Sequence, residues 1–222
     1  MNTVLLAVQD PALATTFHAA LQATGAWQVP APVHSVADAR AALICHAPQL
    51  LVVDLRLKDG LAASLIRLLR LRQPVSQGHA PAQVLVLATN DADPLLLDAL
   101  QAGADNFFVT TGTAPEALAV HVRETLAGGA DIAPWIARRL LDHFGAAAAG
   151  TPGAASRYVE DMFNPLALTA AERTLLRQLS IGDRLADVAG RQGMGPRDLM
   201  ARVRDIYRKM QWALHAGNLK LV

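Results

Sequence analysis

Asp54 is the residue best placed to do chemistry. It closes the run Leu50-Leu51-Val52-Val53-Asp54 and is followed by the polar turn Leu55-Arg56-Leu57-Lys58-Asp59-Gly60. A short apolar, β-branched run bounded by turn signals reads as a strand buried on both faces of a parallel sheet. Open α/β sheets carry their chemistry at the carboxyl ends of such strands. An ordinary solvated or capping Asp accounts for the residue equally well. The second chemically capable set is cationic. Arg197, Arg202, Arg204, Arg208 and Lys209 fall on one C-terminal helical stretch, with Arg197, Arg204 and Arg208 spaced by seven and four on one face. From Leu168 to Val222 there are ten Lys/Arg against five Asp/Glu, although the whole chain carries only +1. That asymmetry suits a domain that contacts phosphates; a solvated helix face is the competing explanation. The seven His form no i,i+3 or i,i+4 pair and have no Cys cluster beside them, so no metal site and no cofactor is expected. No G-x-S-x-G elbow or Walker loop occurs, and no enzymatic activity is expected.

The elements that must position these residues follow in order. Val4-Leu5-Leu6-Ala7-Val8 reads as a strand, and Asp10-Pro11 as an N-cap with an N1 proline opening a helix to Ala23. Trp27-Gln28-Val29 is a weak second strand, and Ser35 caps a helix over Val36 to His46. After the Asp54 strand, Gly60 to Leu71 is amphipathic at helical spacing, and a polar loop spans Gln73 to Ala82. Val84 to Ala88 is the fourth strand, Asp93-Pro94 opens a helix to Ala102, and Asn106 to Thr110 is the fifth strand. Thr113 with Glu116 reads as a capping box for a helix ending near Leu126. Five strands alternating with five helices predict a doubly wound α/β domain. Pro134 to Phe144 is one more helix, and Ala146 to Ala155 reads as a flexible linker. Beyond Leu166 the pattern is helical only. Thr169 and Glu172 form a capping box for a helix to Ser180, Gly182 breaks it, Leu185 to Arg191 is short, and Pro196 starts a longer helix through Met210. A short helix, a glycine turn and a longer helix make a helix-turn-helix candidate. The expected domains are 1–128, a linker with its helix at 129–165, and 166–222.

Hydrophobic residues make up 52% of the chain and charged ones 18%, ample for a core. A single cysteine, Cys45, rules out an intrachain disulfide and fits a reducing compartment. No positively charged, cleavable leader opens the chain and no apolar run approaches the ~18 residues that span a bilayer, so a cytoplasmic protein without membrane partners is expected.

Both halves resemble the NarL/LuxR family of two-component response regulators. The resemblance rests on Asp54 to Gly60, Val84 to Ala88, Ala102-Gly103-Ala104-Asp105 and the Ile132 to Leu141 segment, then on Leu168 to Arg173, Gly182, Val188-Ala189 and Ile206 to Met210. It implies a five-stranded, flavodoxin-like receiver domain followed by an all-α helix-turn-helix that binds DNA as a dimer. It also implies a phosphorylation site of two acidic Mg²⁺ ligands, an acceptor Asp, a Ser/Thr and a Lys. On these positions the chain has Val8, Gln9, Asp54, Ala88 and Thr110. Only the Asp survives. Phosphoryl transfer is mostly positioning and charge neutralisation, and each lost electrostatic stabiliser typically costs about two to three orders of magnitude in rate. Asp54 is therefore expected not to be efficiently phosphorylated, which makes the domain a pseudo-receiver. Asp10 and Thr89 each lie one place off: Asp10 is better explained as a helix cap, and period-2 alternation turns Thr89 away. The family's switch aromatic falls on Phe107, which lacks a hydroxyl.

In the second domain the resemblance implies that the long helix reaches DNA through Arg197, Leu199, Met200, Arg202, Arg204 and Lys209. The family's Thr-Val-Lys-type segment is replaced by Asp198-Leu199-Met200, in which Asp198 repels phosphate unless it meets a cytosine amino group. Backbone contacts through Arg202, Arg204 and Lys209 are the firmer expectation. Trp135 and Arg138 match part of a Trp-x-x-Arg segment with which some relatives bind cyclic di-GMP, and stacking plus a guanidinium suits a guanine nucleotide; a Trp packed on a neighbouring helix is the commoner explanation. The expected function is a dimeric, DNA-binding transcriptional regulator that works without Asp phosphorylation. The alternatives are an adaptor that binds another regulator or a kinase through its pseudo-receiver, and a cyclic di-GMP-responsive regulator.

Overall fold

The computed structural model describes residues 2–72, 82–149 and 167–219. Residues 73–81, nearly all of the loop expected over Gln73 to Ala82, and residues 150–166, which include most of the flexible linker expected over Ala146 to Ala155, lie outside the described residues. The chain divides into two compact units, Met1–Gly128 and Gly129–Val222.

The first unit contains β1 (Asn2–Ala7), α1 (Pro11–Gln22), β2 (Trp27–Gln28), α2 (Val36–His46), β3 (Leu50–Asp54), β4 (Arg56–Leu57), β5 (Gly60–Leu61), α3 (Ala62–Arg72), β6 (Gln83–Ala88), α4 (Pro94–Ala102), β7 (Asn106–Val109) and α5 (Ala117–Leu126). Five strands form one sheet in the order β2-β1-β3-β6-β7, and every pair in it is parallel. Val4 to Ala7 and Leu50 to Val53 are wholly buried, as strands covered on both faces must be. On one face Val4, Leu6 and Val8 join Phe17 and Leu21 of α1 and Leu118 and Val122 of α5 in a single core, where Phe108 meets Phe17 edge-on at 6.3 Å. The strand order reverses between β1 and β3. This topological switch point is where such sheets open a crevice outside their carboxyl ends.

Local chemistry starts the helices largely where the side chains dictate. Asp10 accepts from the Ala12 N–H, Ser35 from Asp38 and Asp93 from Leu95, with Pro at the first position after Asp10 and Asp93. Two expectations fail. Gly60-Leu61 does not begin α3; it pairs antiparallel with Arg56-Leu57, and the intervening Asp59 accepts from the Val36 and Ala37 N–H groups at 2.5 and 3.1 Å. Those bonds hold the Asp59 carboxyl below its usual range and pin the turn after Asp54 to the start of α2. Nor do Thr113 and Glu116 form a capping box. Residues 114–119 are wound by i→i+3 bonds, so the α-helix begins at Ala117 without a side-chain cap. The Ala102-Gly103-Ala104-Asp105 motif has a structural reason. Gly103 sits at φ +119°, a Cβ there would lie 2.8 Å from Arg70, and Arg70 bonds the Gly103 and Ala82 carbonyls and the Asp105 carboxylate.

The second unit contains α6 (Pro134–Ala149), α7 (Ala170–Ser180), α8 (Leu185–Arg191) and α9 (Pro196–Leu219). Two of these helices outrun their expected ends. α6 includes the Ala run expected to start the linker, and α9 continues past Met210, because Ala, Leu, Gln and Trp without a proline give a helix no reason to stop. α6 packs against α7 and is part of this unit; Ile136, Ala137 and Leu140 of α6 are buried, as are Leu175, Leu176 and Leu179 of α7. The Thr169/Glu172 capping box is present with both reciprocal bonds, Gly182 makes the following turn at φ +97° and Gly193 the next at +64°. Lys209 on α9 reaches back to both Glu172 oxygens at 2.8 and 2.7 Å. Burial opposes the Glu172 charge, but Lys209 and the Thr169 N–H outweigh it and lower its pKa. This stabilisation is complete above the unfolded carboxyl range and is lost as pH falls through the lowered folded value. Lys209→Met leaves a mostly buried carboxylate without its cation and is expected to cost about 1–3 kcal/mol, read as faster hydrogen exchange in α7 and α9, with a difference from wild type that shrinks in acid.

Candidate functional site

Two places in the chain gather the sequence-predicted residues. The first is the crevice at the switch point. Strand β3 delivers Asp54, the chain leaving β1 delivers Val8, Gln9 and Asp10, β6 ends in Ala88, and Thr110 follows the end of β7. A cleft of about 470 Å³ opens here, lined by Gln9, Asp10, Leu13, Asp54, Arg56 and Thr110 among others. Asp54 accepts from the Gln9 backbone N–H at 2.7 Å. Burial pushes its carboxyl up to about 6; the Gln9 bond opposes that rise and the negative charge of Asp10 adds to it. Thr110 turns its hydroxyl to the Ala88 carbonyl at 3.3 Å, in addition to the backbone bond between the same residues.

The divalent metal implied by the resemblance does not fit these residues. Val8 is wholly buried in the apolar core. Gln9 faces Asp54 with an N–H donor instead of a carboxylate. Asp10 spends one oxygen on the Ala12 N–H at the start of α1. Asp10 and Asp93 are the other carboxylates of the lining; the first caps α1 and the second α4, which leaves Asp54 short of the free oxygen ligands a hard dication needs. Phe107 is buried.

Arg56 is a member of this site that the sequence reading passed over. Its guanidinium lies 2.7 Å from the Asp93 carboxylate, which also caps α4. Arg56 is the main reason the Asp93 carboxyl sits below its usual range. The available signal was its position two residues beyond Asp54, on the rim of the same crevice.

The second place is α9. Arg197 and Arg202 are exposed on it, as is Arg208, whose guanidinium lies 3.7 Å from Asp205. Four of the six expected DNA contacts face protein. Leu199 is 0% exposed, Met200 9% and Arg204 4%, and Lys209 is spent on Glu172 and the Ala167 carbonyl. A buried side chain cannot reach a base edge, and an ammonium already paired with a carboxylate is not free for phosphate. The covering segment is identifiable. Ala130 donates its N–H to the Met200 carbonyl at 3.1 Å, and the wholly buried Tyr207 donates its hydroxyl to the Asp131 carbonyl at 2.7 Å. Met200, Arg204 and Tyr207 follow i, i+4, i+7 spacing, and residues 130–131 meet this face at Met200 and at Tyr207. On α6, Arg138 donates to the Ser180 carbonyl at the end of α7, 3.2 Å away, and Trp135 is half-buried. The guanidinium named as a possible nucleotide contact thus bonds a carbonyl inside the unit.

No helix among the described residues is long and apolar enough to cross a membrane. No family model matches the chain. It is 34% identical over 196 residues to the DNA-binding transcriptional activator DevR/DosR of Mycobacterium tuberculosis, covering 84% of this chain and 80% of that protein. The signal receiver domain of the response regulator NarL from Mycobacterium tuberculosis is similar in structure, with TM-score 0.51, 20% identity, 58% of this chain covered and 99% of that one; this likeness concerns the fold alone. A LuxR-family DNA-binding response regulator from Staphylococcus aureus gives TM-score 0.49 at 13% identity, over 57% of this chain and 99% of that one.

Proposed function

The chain belongs to the NarL/LuxR family of DNA-binding response regulators, and on that premise we propose that it regulates transcription without phosphorylation of Asp54. The observation that carries this reading is the composition of the crevice. Val8 fills one acidic position with core, Gln9 puts an uncharged amide at the other, and Ala88 lacks the hydroxyl and Thr110 the ammonium that the reaction uses at those positions. Of the family's site residues the acceptor carboxylate alone remains, and burial raises its pKa to about 6. Incubation of the full chain with acetyl phosphate and Mg²⁺ is expected to give no phosphoprotein by intact mass on the timescale of a functional receiver. Stoichiometric phosphorylation of Asp54 would sink the reading.

DNA is the partner that the family supports, and the charge distribution agrees. Exposed Arg197, Arg202 and Arg208 on α9 suit phosphate contacts, while Asp198 at the start of the helix favours modest base discrimination. Binding of double-stranded DNA is expected to weaken steeply with salt. Arg197→Ala and Arg202→Ala should each lower affinity across all sequences and reduce the salt slope by about one. Weak, sequence-blind binding of DNA, or none, would favour the second reading, an adaptor that binds a protein partner. Burial of Met200 and Arg204 adds a condition to the DNA reading: residues 130–131 must leave α9 before that face reaches a groove.

A further inference from the structure

We infer that the cleft beside Asp54 is a binding site for a small organic ammonium ion with an apolar body, an input that takes the place of the phosphoryl group. The inference rests on the reading of the domain as a pseudo-receiver. Its starting point is the cleft itself, about 470 Å³ at the switch point of the sheet, within the size range of small-molecule sites and in the place where open α/β sheets bind ligands.

The lining defines the chemistry. Pro11, Leu13, Leu55, Leu87 and Ala88 supply an apolar wall, and such walls favour the body of a ligand over water. The ionisable groups of the lining are Asp10, Asp54, Arg56 and Asp93. Arg56 and Asp93 satisfy each other, and Asp10 is turned towards the α1 N-terminus. Asp54 is the exception. Its Oδ2 accepts the Gln9 N–H, while among the described residues its Oδ1 takes no protein hydrogen bond. Three carboxylates against one guanidinium leave the cleft short of positive charge, and the desolvated Asp54 gains most from a cation that brings its own N–H donors. A hard dication finds too few oxygen ligands here, whereas an ammonium needs one carboxylate and hydroxyl acceptors. Thr89, which strand alternation was expected to turn away, lines the cleft together with Thr110, because it lies past the end of β6 where alternation no longer holds.

The test uses the full chain and two probes, phenethylammonium and n-hexylammonium, with 2-phenylethanol and n-hexanol as uncharged controls of the same shape. Isothermal titration at pH 7.5 is expected to give saturable 1:1 binding of at least one ammonium, tenfold or more tighter than its alcohol. Affinity should fall as pH drops through about 6, as Asp54 takes up a proton. Asp54→Asn should weaken binding at least tenfold. Thr110→Lys, which tethers an ammonium in the cleft, should compete with the probe and weaken it comparably. Absence of saturable binding by both ammonium ions, equal binding of the alcohols, or affinity unchanged in both variants overturns the inference. Phosphotransfer from acetyl phosphate would instead overturn the pseudo-receiver reading, so the two failures are distinguishable.

Discussion

Asp54→Asn makes the first unit more stable at neutral pH. In the folded chain the Asp54 carboxyl titrates near 6, against an ordinary value of 3.8. The folded state therefore holds its proton over a range in which the unfolded chain has released it. Stability falls as pH rises from about 4 to about 6 and stays at the lower level above that. At pH 7.5 the wild-type chain carries the full cost of keeping a desolvated carboxylate in the crevice, about 1–3 kcal/mol once partial solvent access is allowed for. Asparagine keeps the shape and an oxygen for the Gln9 N–H without the charge. Hydrogen exchange of the β1 and β3 amides reads the first unit by itself within the intact chain. Protection in the variant should exceed wild type by about one order of magnitude or more at pH 7.5 and match it below pH 4. Equal protection at both pH values would show that water reaches the carboxylate far more freely than its burial implies. Burial and charge placed where they cost stability are a common mark of a working site. A variant that gains stability and loses ammonium binding would tie the two together.

The parts of this molecule that can be read from sequence are those set by local chemistry. Buried strands announce themselves because a strand covered on both faces has no polar positions, as in Leu50 to Val53. Asp10, Ser35, Asp93 and Thr169 mark helix starts because each side chain accepts from an N–H two or three residues on. Local reading fails where two local patterns compete or where the deciding contact is remote. Thr113 and Glu116 have capping-box spacing, but the first turn closes by i→i+3 bonds, and the box geometry requires an α-helical turn there. The crevice is intermediate. Asp54, Val8, Gln9, Ala88 and Thr110 are placed by the strand ends alone, whereas the bridge from Arg56 to Asp93 spans 37 residues and leaves no pattern. The α9 face is the clearest failure. Helical spacing groups Arg197, Arg204 and Arg208, yet Arg204 is buried and the other two are exposed. Periodicity gives the faces of a helix but not which face a segment 76 residues away will cover.

That covering segment yields the second large effect. Tyr207→Phe is expected to raise affinity for DNA. Burial pushes the Tyr207 phenol well above its ordinary range, so it remains a donor at any working pH, and its bond to the Asp131 carbonyl joins the Ala130 N–H bond in fastening residues 130–131 to α9. Removing the hydroxyl leaves the Asp131 carbonyl without that donor in the covered state and able to take water in the uncovered one. The covered state loses about 1–3 kcal/mol relative to the uncovered state. When the covered state dominates, apparent affinity scales with the uncovered fraction, so the gain is about 5- to 100-fold. Ala130→Pro deletes the other donor without touching α9 and should act in the same direction, by about 2- to 10-fold for a single ordinary hydrogen bond. Fluorescence anisotropy with double-stranded DNA at one fixed salt concentration measures both, and circular dichroism checks that the helices persist. A gain in both variants would mean that the 130–131 segment and DNA compete for the face carrying Met200 and Arg204. Unchanged affinity in both, with helices intact, would mean that the exposed Arg197, Arg202 and Arg208 side carries the DNA contact and that the covered face is structural.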